Sequence, residues 1–250
     1  SSLSLSLSTG FLAVAIFCAA AVSERFGRRS LMFVSLLGAS ICTIACAAMP
    51  NWNLLLIIRA LEGLLLGGVP AVAMAYLSEE VDPKGLGAAM GLYIAGNAFG
   101  GMAGRVVTGV LAEYFSWRLA LVGMGALGIV AAIGFLVLLP PSRNFVPRKS
   151  NLRYHVDAWL GHLNHPALAL LFAIGFLLMG AFVTIYNYIG FRLVDAPYSL
   201  DQTELGLIFT VYLFGIVASW AAGLLGDRFG HFAVMLTGIV LAFAGVVITL

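Results

Sequence analysis

The stretch Ser23-Glu24-Arg25-Phe26-Gly27-Arg28-Arg29 returns, worn down, as Gly226-Asp227-Arg228-Phe229-Gly230-His231. An acid, an arginine, a phenylalanine and a glycine recur in the same order about two hundred residues later. Each copy stands where one long apolar segment meets the next. A charged turn repeated at that distance, in so apolar a chain, implies a duplicated membrane unit.

Composition agrees. The 250 residues are 62% hydrophobic and 10% charged, with a mean hydropathy of +1.04. A soluble domain carries about 25% charged residues, so this chain is an integral membrane protein. Its net charge of +2 gives no signal for nucleic acid. No signal peptide is legible from Ser1 onward. Cys18, Cys42 and Cys46 lie in apolar segments and read as small polarisable packing residues, not as a disulfide or metal site.

A helix needs roughly 20 apolar residues to cross the hydrocarbon core. Eight spans meet that measure, at about 4–22, 31–49, 53–76, 85–112, 117–139, 167–190, 204–225 and 232–250. The fold class is therefore all-α and polytopic. Helix-start signals mark the divisions: Asp82-Pro83, Ser116, Pro166, and Asp201 with Glu204 as a capping-box pair. Pro70, after Gly67-Gly68, predicts a kink in the third span. No strand periodicity or barrel alternation is present.

The polar stretch 140–166 divides the chain into an N-terminal bundle (1–139), a linker, and the start of a C-terminal bundle (167–250). Its His162 and His165 read as solvated linker residues, not metal ligands. Basic residues set the orientation. Arg25, Arg28, Arg29, Lys84, Arg143, Arg148, Lys149, Arg153 and Arg228 fall on one side, against Arg118 and Arg192 on the other. The motif loops and linker are expected to be cytoplasmic.

Charges within spans are costly, by about 2.5–3.5 kcal/mol on insertion scales, and usually face a cavity or a partner. Three qualify: Arg59, Glu62 and Arg105. Arg59 and Glu62 share a helix face at i, i+3, and all three are expected at similar depth, where they can meet. Gly96, Gly100 and Gly104 of the fourth span form a face that predicts close approach of another helix. Glu24 and Arg28 are close enough across their turn to pair. Tyr186, Asn187 and Tyr188 place polar groups in the sixth span near its outer end, as an interfacial aromatic belt can.

A repeated turn separated by six spans resembles the major facilitator superfamily, whose members carry G-x-L-x-D-R-x-G-R-K/R between their second and third helices. Ala20, Val22, Glu24, Arg25, Gly27, Arg28 and Arg29 occupy that pattern, departing at Ala for Gly and Glu for Asp. Gly223, Leu225, Asp227, Arg228 and Gly230 form the second copy, without the basic pair. Ser1–Thr9, Ala71–Glu80, Met90–Arg105 and Gly175–Gly190 look like the YnfM-type inner-membrane transporters, a branch associated with acriflavine sensitivity and drug efflux.

The resemblance implies that the first span is the family's second helix and the last its ninth, so that the chain is a fragment. It implies that the acid of the turn is a latch against a helix end of the opposite half. Arg59 and Gly63 match the arginine–glycine pattern of proton-coupled members, which implies that Glu62 takes the proton; a structural ion pair is the competing account. The glycine-rich fourth span resembles the antiporter motif, with Arg105 in place of its proline. Asn97, Tyr186 and Asn187 are implied to line the substrate cavity.

Together these features predict a secondary transporter working by alternating access, with proton-coupled efflux of a small organic compound or drug as the leading version. A sugar or metabolite carrier is the alternative within transport, and a non-transporting receptor or scaffold the alternative outside it. No HExxH, nucleophile elbow, phosphate loop or intramembrane Asp pair is present, so no enzyme and no cofactor is expected. The expected partners are a small-molecule substrate, protons and the lipid bilayer, without nucleic acid. The expected setting is a monomer in a bacterial inner membrane.

Overall fold

The computed structural model describes residues 2–145 and 152–248. Arg148 and Lys149, and the side chains of Arg25, Tyr186 and Asn187, lie outside the described residues. Among the described residues, eleven α-helices follow in order: α1 (Ser2–Phe26), α2 (Arg28–Ala48), α3 (Trp52–Leu66), α4 (Gly68–Glu80), α5 (Leu86–Tyr114), α6 (Trp117–Leu138), α7 (Leu152–Asn164), α8 (Pro166–Val194), α9 (Gln202–Ile208), α10 (Tyr212–Phe229) and α11 (His231–Ile248). Short 3₁₀ turns at Pro83–Gly85 and Phe209–Val211 lead into α5 and α10. No strand occurs among the described residues.

Among the described residues, seven stretches are long and apolar enough to cross a membrane, α3–α4 and α9–α10 each counting as one. The sequence reading has an eighth, α5. It is 29 residues long, but its seven glycines and Asn97 dilute its apolarity.

The two copies of the charged turn share one geometry. Gly27 and Gly230 adopt φ 90° and 92° with ψ 146° and 140°, a region that side chains avoid. In each, the glycine N–H donates to the carbonyl four residues back, at 3.1 Å and 3.0 Å. Each glycine carbonyl then accepts from the residue four ahead, at 3.4 Å in both. The repeat is structural as well as textual.

Local signals act where expected. The Ser116 side chain caps α6 by accepting from Leu119 N at 3.1 Å. Asp201 and Glu204 form a reciprocal capping box at 2.6 Å and 3.1 Å. Pro70 has no N–H for the Leu66 carbonyl and crowds it, so the third span breaks at Gly67 between α3 and α4. The linker carries a helix, α7, that the sequence reading did not resolve. Its Leu152, Val156, Trp159 and Leu163 recur at helical spacing and could have revealed it.

The helices pack through small residues and present large ones outward. Helix α2 lies against α6, α3 and α4; α1 against α3 and α4; and α5 against α10, α9 and α6. Buried side chains are mostly Ala, Ser and Cys, while Leu, Ile, Val and Phe are widely exposed. That inversion suits a hydrocarbon solvent, where helices associate by close packing and not by apolar burial. Met32, Val72, Ala73 and Tyr76 form a larger buried cluster, near the motif end.

The glycines of α5 divide by half. A Cβ on Gly87 would lie 2.6 Å from Asp227 Oδ2, and one on Gly91 3.1 Å from the Ser219 carbonyl. These motif-half glycines permit contact with α10. Gly96 and Gly100, by contrast, have no atom within 4 Å of a Cβ position, and Gly104 meets only Met124 Cε at 3.5 Å. The expected close-approach face at 96, 100 and 104 is thus not where the tight contact among the described residues falls. The reason is that α10 and α9 lean on the opposite flank of the helix.

Candidate functional site

Glu62 on α3 is the centre of a compact polar group. Arg59 Nη1 donates to Glu62 Oε2 at 3.0 Å, and the Thr43 hydroxyl of α2 donates to Glu62 Oε1 at 2.8 Å. Both charged side chains are largely buried, at 23% and 14% exposure. Next to Glu62, Gly63 lets α1 close on α3, with the Ser8 carbonyl carbon 2.9 Å from its Cβ position. The Ser8 hydroxyl donates to the Arg59 carbonyl at 3.0 Å. Arg59 and Glu62 are therefore clamped between α1 and α2.

Arg105 does not join them. Its guanidinium lies 4.2 Å over the ring of Phe209, in the 3₁₀ turn ahead of α10. The expectation that all three charges meet is corrected: α5 turns this residue toward α9, while α3 turns Arg59 and Glu62 toward α1 and α2. A cleft of about 430 Å³ opens beside it, bounded by Gly100, Gly104, Thr108, Met124, Leu205 and Phe209. Asn97 is exposed on the same helix. Helix α8 runs unbroken through positions 186 and 187.

At the motif end, Arg28 bonds to Glu79 at the end of α4, through Nη2 at 2.7 Å and Nε at 3.3 Å. It also bonds to Ser23. The expected Glu24–Arg28 pairing is replaced, because Gly27 turns the chain between them and α4 delivers its acid to Arg28. Glu24 lies 3.8 Å from Nε2 of His155 on α7, which is 8% exposed. Arg29 donates to the Leu136 carbonyl in the last turn of α6, a favourable place for a cation. Glu80 Oε1 accepts from the N–H groups of Arg143 and Asn144 at 2.7 Å and 2.9 Å. The first copy thus knits α1, α2, α4, α6 and the linker together.

The second copy reaches the start of α5. Asp227 lies against Gly87 in the first turn of α5, where a helix N-terminus favours a carboxylate by about 0.3–1 kcal/mol. Gly230 turns the chain just beyond it, as Gly27 does beyond Glu24. Reasoning from sequence missed Thr43, Glu79 and Phe209 as partners. Only Glu79, in an acid pair closing a span, carried a local signal.

A family model described as the Major Facilitator Superfamily matches residues 1–250. The chain belongs to the major facilitator superfamily. It is 42% identical over 249 residues to the uncharacterized MFS-type transporter YybF of Bacillus subtilis (strain 168), covering 100% of this chain and 62% of that protein. An uncharacterized transporter of Buchnera aphidicola subsp. Schizaphis graminum (strain Sg) is 41% identical, over 100% of this chain and 60% of its own length. The inner membrane transport protein YnfM of Escherichia coli (strain K12) is 44% identical over 236 residues, 94% of this chain and 57% of that protein. The chain therefore spans about three-fifths of the length of these relatives.

The reduced copy of the turn touches the start of α5. Replacing Asp227 by asparagine is expected to loosen the motif end of the α5–α10 junction, weakening that contact by up to about fivefold. Spin-label distances between the motif ends of α5 and α10 in the whole protein measure this. An unchanged distance distribution would refute the contribution of this contact.

Proposed function

We propose that the protein is a secondary transporter working by alternating access, in which proton entry drives the export of a small organic compound. The observation carrying this reading is the Arg59–Glu62–Thr43 group. A carboxylate clamped beside an arginine inside a span can exchange its charge for a proton. Its two states then differ in their hold on α2 and α3. Such a difference, repeated each cycle, is what couples a proton to a conformational change.

Two further features support the reading. Asp227 against the α5 terminus gives a contact weak enough to form and break. The cleft beside α5 is lined mainly by glycine, alanine, leucine, methionine and phenylalanine, which favours a lipophilic compound over a sugar. The family resemblance proposes Asn97, Tyr186 and Asn187 for the substrate cavity; Asn97 does not line this cleft, and the other two side chains lie outside the described residues. We place the motif turns on the cytoplasmic side on the distribution of Lys and Arg, and the protein, taken as a monomer, in a bacterial inner membrane on its likeness to YnfM.

Reconstitution of the whole protein in proteoliposomes tests this. With a pH gradient imposed, anionic, neutral and cationic lipophilic dyes and a set of sugars are offered in turn. Gradient-dependent movement of a dye, with matching proton flux, is expected. Movement of a sugar alone would replace the substrate class. Absence of both flux and counterflow for the whole panel would reject the transport reading.

A further inference from the structure

We infer that the cleft beside Arg105 is a substrate subsite for a lipophilic organic anion, with Arg105 taking the anionic group and the glycine floor taking a flat apolar body. This rests on the transport reading and names its substrate class.

The charge comes first. Among the described residues, Arg105 forms no hydrogen bond or ion pair; its contact is the ring of Phe209 at 4.2 Å. A ring attracts the cation but leaves the guanidinium N–H donors unsatisfied. The acids of α5 and of the start of α9 have other partners. Glu113 Oε2 accepts from Thr203 N at 2.9 Å, while Asp201 and Glu204 cap α9 through each other's backbone. An uncompensated cation in a membrane span is expensive, and an anionic ligand relieves that expense.

The shape comes second. At Gly100 a methyl group would meet nothing within 4 Å, and at Gly104 only the far end of Met124 at 3.5 Å. Helix packing among the described residues does not demand glycine there, in contrast to Gly87 and Gly91. The missing side chains instead open about 430 Å³, enough for one small molecule. Phe209, at 4% exposure, fixes the ring behind the guanidinium. Tyr212 lies next along, with its Cε2 3.7 Å from the Gly101 Cβ position and its ring 5.6 Å from that of Phe182. Cationic compounds are disfavoured here by repulsion.

The test uses 1-naphthoate, 1-naphthylmethanol and 1-naphthylmethylammonium, which share a ring system and differ in charge. Binding to the whole protein is measured by calorimetry in phosphatidylcholine nanodiscs. Naphthoate is expected to bind about tenfold or more tightly than either analogue, and Arg105→Ala to lose about tenfold or more of that affinity. Arg105→Lys should keep part of it, and Gly104→Leu should weaken naphthoate with the arginine intact. Thermal unfolding of each variant verifies that it is folded.

Equal binding of the three probes, preference for the cation, no naphthoate binding at all, or an Arg105→Ala variant that binds normally would each overturn the inference. Displacement of naphthoate by phosphatidylglycerol in the disc would assign the anion site to lipid and overturn it as well. The two readings fail separately. Gradient-driven transport of a cationic or neutral dye, unaffected by Arg105→Ala, would leave the transporter standing without this subsite. Arg105-dependent naphthoate binding without any transport would do the reverse.

Discussion

Replacing Glu62 by glutamine is expected to abolish substrate-driven proton flux while leaving exchange of substrate across the membrane. Glutamine keeps the size of the side chain and an oxygen that can accept from Thr43, but it cannot carry the proton. The substitution also leaves Arg59 without its acid. Breaking a buried pair from one side costs about 3–5 kcal/mol; the 23% and 14% exposure of these side chains places the effect toward the lower end. Stability and coupling must therefore be separated.

The double variant Arg59→Gln/Glu62→Gln does so. It removes both charges, so stability should recover relative to either single change, whereas coupling should not. Proton flux is read by a pH-sensitive dye in proteoliposomes and stability by thermal unfolding in detergent. A Glu62→Gln protein that still moves protons with substrate would reject the coupling role. A double variant that regained coupling would reject it equally, and would leave the pair as a structural lock between α2 and α3.

Gly63→Ala is expected to destabilise the fold. The Ser8 carbonyl group lies against the Cβ position, its carbon 2.9 Å away. Backbone cannot swing aside as a flexible side chain can. Relief requires α1 and α3 to part, which strains the Ser8–Arg59 hydrogen bond of 3.0 Å and the clamp around Glu62. Overpacking of this kind costs about 1–3 kcal/mol for a small insertion, and Gly63→Val should exceed it. Gly100→Ala is the control, because nothing lies within 4 Å of that position. Equal unfolding temperatures for Gly63→Ala and Gly100→Ala would refute the close-contact argument.

The candidate site was legible only in part. Arg59 and Glu62 could be paired from sequence because three positions along a helix share a face, and the structure joins them at 3.0 Å. The pairing of Glu24 with Arg28 fails for the opposite reason. Four positions across a glycine turn do not share a face, and the acid that reaches Arg28 is Glu79, from another helix. Arg105 shows the same limit. Its depth could be read from its place in the span, but its direction depends on which flank of α5 receives α9 and α10.

The glycines show why tertiary contacts are decisive. Gly91 and Gly100 lie on the same glycine-rich helix, each with a large apolar residue beside it. One touches the Ser219 carbonyl of a partner helix and the other faces a cleft. No local pattern distinguishes them.

The sequence by itself determined the membrane class, most of the helix boundaries, the kink ahead of Pro70 and the duplication announced by the two charged turns. These rest on hydropathy, capping and backbone sterics, which act within a few residues of the chain. Only the tertiary structure decided that Arg28 goes to Glu79, that Thr43 completes the Glu62 group, and that Asp227 meets the start of α5. It also separated Arg105 from the other intramembrane charges. Those pairings join residues distant in sequence, and they follow from which helix faces pack together.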